Sequence, residues 1–141
     1  MMTLSDVSGI IYNRVLANLP VEITPDRFTI ASGQLPDDTT EKPGLILTHN
    51  PGPWTITTLG GEGVCRRRLR TGNVFLQVRT PAQYGMDTLS IDIADRLAKL
   101  FEGVWQDRPL IYTSVDIRHQ GRDNAWFLTN VVLSYEYEEI Y

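Results

Sequence analysis

The chain has 141 residues, 42% of them apolar and 21% charged, the balance of a globular protein rather than a disordered one. One domain spanning residues 1–141 is expected, burying roughly two-thirds of its unfolded surface. A formal charge of -4 argues against a general nucleic-acid binder, whose basic surface has to neutralise several phosphates.

The first predicted element is a helix starting near Leu4. Thr3 can cap it, Asp6 suits its positive end, and Leu4, Val7, Ile11 and Val15 recur at helical spacing. Leu19-Pro20 ends it. No Lys or Arg precedes Arg14 and no apolar run nears the roughly 20 residues that span a bilayer, so a soluble, unexported protein is expected. Prolines at 20, 25, 36 and 43 and the polar run 36–42 make Pro20 to Pro43 a long connection, in which Phe28-Thr29-Ile30-Ala31 either forms a short strand or anchors the loop to the core.

Strand signals follow. Gly44 to His49 is an apolar run, His49-Asn50-Pro51-Gly52-Pro53 reads as a turn, and Trp54 to Leu59 is β-branched. Gly60-Gly61-Glu62-Gly63 supplies the next turn, so Val64 to Leu69 can pair back on Trp54 to Leu59 as a hairpin arm. Gly72-Asn73 marks a bend or bulge before the strand Val74 to Thr80, whose Val74, Leu76 and Val78 face one way and Phe75, Gln77 and Arg79 the other. A second helix carries Leu89, Ile93, Leu97, Leu100, Phe101 and Val104 on one stripe beside Ala94 and Ala98, with Asp87 as N-cap and Gly103 as stop. Asp92 with Arg96 and Asp95 with Lys99 are acid-before-base pairs four apart. Then Ile111, Thr113, Val115 and Ile117 alternate with polar positions and, after a polar loop 119–124, Phe127, Thr129, Val131, Leu133, Tyr135 and Tyr137 do the same, an antiparallel hairpin. The plan is α+β: a mainly antiparallel sheet with two helices packed on one face and an extended β-hairpin arm.

Catalytic chemistry has little to stand on in this order of residues. His49 and His119 fall in turn or loop segments with no second His or Cys at ligand spacing, and the serines lack a Gly-x-Ser-x-Gly setting. Cys65 is the single cysteine, which excludes an intrachain disulfide; as a strand residue followed by arginines it reads as structural. The glycines at 60, 61 and 63 lack the Gly-Lys-Ser/Thr ending of a phosphate loop. No enzyme, no cofactor and no metal is the expectation.

The strongest charge feature is Arg66-Arg67-Arg68-Leu69-Arg70. On a strand Arg66, Arg68 and Arg70 project to one side and Arg67 to the other. One reading is a solvated edge that deters edge-to-edge pairing. The other is an arm that meets acidic residues of a neighbouring subunit, with Asp37, Asp38, Glu41, Glu136, Glu138 and Glu139 as counter-charges and Trp54 counted among the interface residues. Contact with DNA is a weaker third.

Gly72 before a strand, Pro81 and Gly85 at a strand-to-helix corner, Ala94-Asp95 and Phe101 in the helix, and Trp126 with alternating Val131, Leu133 and Tyr135 together resemble the tail terminator proteins of long-tailed bacteriophages. Where related sequences often carry a second glycine in the corner, this chain has Ala82-Gln83-Tyr84. The resemblance implies a virion protein, assembled in the host cytoplasm, that forms a ring, a homohexamer, on the head-proximal end of the tail tube. Such a ring stops tube polymerisation and offers a surface to head-completion or neck proteins, while genomic DNA passes through its lumen without specific binding and no membrane is involved. Two other readings stay open: another ring component of the particle, such as a tail tube or head-closure protein, and a small ligand-binding α+β domain.

Overall fold

A computed structural model describes residues 2–30, 43–58, 67–81, 88–104, 107, 109–123 and 126–140. Helix α1 spans Leu4–Ala17 and starts as its sequence predicts: the Thr3 hydroxyl accepts the Asp6 N–H, and the Asp6 carboxylate accepts the Thr3 N–H at 2.8 Å. This reciprocal pair satisfies two backbone donors that the first helical turn leaves open. Val7, Ile11 and Val15 are buried. Asn18 closes the helix, its N–H donating to the Val15 carbonyl.

A short 3-10 turn, Pro25–Arg27, leads into strand β1 at Phe28–Ile30. Strands β2 (Gly44–Thr58) and β3 (Arg67–Pro81) precede helix α2 (Thr88–Lys99), and β4 (Ile111–Asp123) and β5 (Trp126–Ile140) follow it. The sheet order is β1-β2-β3-β5-β4, with β1 parallel to β2 and every other pairing antiparallel. The fold is α+β, with both helices on one face. Ile93, Ala94, Leu97 and Ala98 of α2 join the α1 stripe over Leu45, Leu47, Val74, Leu76, Val78, Val131, Leu133, Tyr135 and Tyr137. Burying each large aliphatic side chain here contributes about 1.5–3 kcal/mol. Helix α2 ends at Lys99, short of the stop expected at Gly103, so Leu100, Phe101 and Val104 lie beyond it rather than on its stripe; Leu100 and Phe101 donate back to Leu97 and Ala98, and Gly103 sits in the turns that follow, at φ 65.

Four local expectations are corrected by the strand pairing. His49 to Pro53 is no turn: β2 runs straight through it and absorbs its prolines in a bulge between Pro51 and Trp54. Gly72-Asn73 itself neither bends nor bulges, for β3 stays in unbroken register with β5 across it, and the bulge that adjoins Gly72 lies on β2. The polar segment after Ile117 remains strand as far as Asp123, with a bulge between His119 and Gly121, and the φ of 81 at Gly121 suits glycine. A second bulge at Thr113 flips the phase of β4, so Tyr112, rather than Ile111, joins Val115 against the core, and Ile111 is left exposed. His49 and His119 therefore sit in strands β2 and β4.

Candidate functional site

Three polar clusters tie the helices to the sheet. In the first, the regular alternation of β2 puts His49 on the face of Leu45 and Leu47, under α1. His49 Nδ1 lies 2.6 Å from Ser8 Oγ and Nε2 lies 2.6 Å from Tyr135 Oη, so one hydroxyl donates to the ring while the ring donates to the other. Burial pushes the His49 pKa down and keeps the ring neutral, and burial, with the nearby Tyr137, pushes the Tyr135 phenol up to about 12 against the opposing charge of Arg70. A serine beside a histidine has nucleophile-and-base spacing. Here the second ring nitrogen meets a phenol rather than an acid carboxylate, which leaves the ring without the partner that stabilises an imidazolium. Residue spacing could not have found this cluster, because Ser8, His49 and Tyr135 come from three separate elements.

In the second cluster Arg14 forks onto Asp107, Nε to Oδ2 at 3.0 Å and Nη2 to Oδ1 at 2.7 Å, and Tyr112 Oη donates to Oδ2 at 2.6 Å. Burial pushes the Asp107 carboxyl up, but the hydrogen bonds from Arg14 and Tyr112 and the charge of Arg14 outweigh it and hold the group below the usual carboxylate range. Tyr112 is raised by burial and by its carboxylate neighbour. In the third, buried Thr129 Oγ1 donates to Ser90 Oγ at 3.1 Å, with His119 Nδ1 at 3.0 Å from the same hydroxyl. Among the described residues no group of three or more His, Cys, Asp or Glu is placed to hold a metal, and no helix is long and apolar enough to cross a membrane.

The arm is three-stranded where it is described. Beyond Ile111, where β4 begins opposite Glu136, β5 continues alone beside β3, and β2 flanks β3 on the other side. In that register Arg68 stands opposite Glu139, Leu69 opposite Glu138, Thr71 opposite Glu136, and Arg70 between Trp54 and Tyr137. Arg68 and Arg70 share the face of Gly72 and Val74; Leu69, Glu136 and Glu138 lie on the other face. The three C-terminal glutamates thus run alongside the arginines within one chain. Asp37, Asp38, Glu41, Cys65 and Arg66, with Gly85 and Asp87, fall outside the described residues. Of the helix pairs, Lys99 meets Asp95 at 3.0 Å, whereas Arg96 reaches off the helix to Glu22 at 2.8 Å.

No family model and no curated protein matches the sequence. The fold, however, is shared with solved structures. One chain that carries no functional name aligns over 97% of this chain and 96% of its own, with a TM-score of 0.68 and 14% identity. A chain from the virion of a native gene transfer agent particle aligns over 92% of both, with a TM-score of 0.50 and 12% identity.

Proposed function

We propose that this chain is a structural protein of a phage-like virion, and more narrowly the ring, a homohexamer, that caps the head-proximal end of a tail tube and presents the surface for head joining. The observation that carries this reading is the common architecture with a gene transfer agent virion chain over nearly the full length of both. It is supported by the α+β plan, which the resemblance to tail terminators also implies, and by an arm that carries the basic run beyond the helix-covered body. Function on this reading is steric and adhesive, and no bond is made or broken; the three polar clusters serve to lock the helices onto the sheet. Partners are further copies of the chain, the tail tube subunit and a neck protein.

Light scattering of the purified protein, alone and mixed with tail tube subunits, followed by electron microscopy, tests it. A single ring that ends tubes at one length is the expected product. Long hollow stacks of this chain alone would make it a tube subunit instead, and a monomer that never caps a tube would remove the proposal.

A further inference from the structure

The sheet ends on one side in β4, which pairs with β5 along one of its edges and, among the described residues, with no strand along the other. Two bulges, between Tyr112 and Ser114 and between His119 and Gly121, bracket a regular stretch from Ser114 to His119. Bulges and charges are the usual means of keeping such an edge from pairing. Here the bulges lie outside the regular stretch, and the charges inside it are of opposite sign. Asp116 and Arg118 stand two residues apart, opposite Val132 and Asn130, on the sheet face away from the helices. They meet each other at 3.1 Å with both side chains more than half exposed, so the ion pair is weak where it is and exchanges partners at little cost. Ile117, between them, points to the other face and is 36% exposed.

Charge and symmetry together select the occupant. When two copies of one edge pair antiparallel about a two-fold axis, one residue stands opposite itself. Centring the axis on Asp116 sets two aspartates against each other, and centring it on Arg118 does the same to two arginines; like charges directly opposed are destabilising. Centring it on Ile117 sets Asp116 against Arg118 on both sides of the axis and Ile117 against Ile117. The directly opposed positions, Val115 to His119 in each strand, then all lie between the bulges. We infer that β4 pairs in this register with β4 of a second copy, joining two five-stranded sheets into one with all helices on the same face. Main-chain hydrogen bonds along the edge supply the adhesion, and the crossed charges fix the register. This pair is a state of the chain beyond the ring: copies in a cap whose two faces differ all point the same way, whereas the two copies of the pair point in opposite directions.

Charge variants test the register. Asp116→Arg and Arg118→Asp each set like charges against each other in the self-pair, and each should raise the dimer dissociation constant at least tenfold in sedimentation velocity. Mixed in equal amounts, the two bring a doubly basic strand against a doubly acidic one, and dimers should return as heterodimers. That recovery also excludes misfolding as the cause of the loss. Independently, with the single cysteine removed as Cys65→Ser, Ile117→Cys should cross-link to a dimer with a short bismaleimide. Ser114→Cys should not, because its two copies lie about 20 Å apart at the usual rise per residue. Single variants that dimerise as tightly as the wild type, a mixture that stays monomeric, or equal cross-linking from the two thiols would overturn the pair. A wild-type chain that caps tubes but never dimerises would overturn it too and leave the ring reading standing, whereas a dimer that never caps a tube would keep the pair and remove the ring.

Discussion

Gly72 lacks a side chain because the Tyr135 ring occupies the space one would fill. A Cβ built there would lie 2.5 Å from Tyr135 Oη and 2.7 Å from Cζ, closer than real contacts allow. Gly72→Ala should push the phenol off His49 Nε2 and cost about 1–3 kcal/mol, read as a lower urea midpoint. Asp107 makes a second prediction. Its folded pKa lies below the unfolded value of about 3.9, so the Arg14 and Tyr112 contacts contribute fully above that value and are lost as pH falls through the folded one. Asp107→Asn should lower stability by about 1–3 kcal/mol at neutral pH and flatten this part of the acid limb of the stability profile, measured by thermal melts from pH 7 to pH 3. His49 works in the same direction for another reason. Its ring is harder to protonate when folded, so stability falls as pH drops below the unfolded value near 6.5.

At the scale of elements, the helices were legible and the strand breaks were not. The 3.6-residue stripe of α1 and the Thr3 and Asp6 cap need only local chemistry, and both formed as the spacing predicts. Thr3→Ala should cost about 1 kcal/mol in a chemical denaturation curve, with little effect on assembly. Pro51-Gly52-Pro53 reads as a turn because prolines cannot donate to a ladder, yet a bulge accommodates them once β3 runs alongside. That decision is made by the partner strand, which local sequence does not display. The phase of β4 has the same origin: a bulge at Thr113 makes Tyr112 a core residue, and alternation alone selects Ile111. The arginine strip could be placed on an arm from its neighbours in sequence, but its adjacency to Glu136, Glu138 and Glu139 depends on β3 pairing with β5 across more than fifty intervening residues.

For the whole molecule, the arrangement implies that the charges of the arm have two sets of possible partners, the glutamates of β5 beside them and those of a neighbour. Reversing Arg66, Arg68 and Arg70 to Glu should weaken ring formation at least tenfold by light scattering. Because β3 and β5 pair across this stretch and bring the substituted positions alongside the β5 glutamates in register, circular dichroism of the monomer accompanies the measurement. Normal rings from the triple variant would remove the arm from the assembly contact.

The unbroken register of β3 with β5 has a mechanical consequence. The two strands are paired from Arg67 with Ile140 to Pro81 with Trp126 without a shift, a beam of about 45–50 Å at the usual rise per residue. It contains no bulge at which to flex, and Val74, Leu76 and Val78 root one half of it in the core. A load taken at the described end of the arm therefore has an unbroken ladder along which to reach the residues beneath both helices, even though β2 on its other side is bulged.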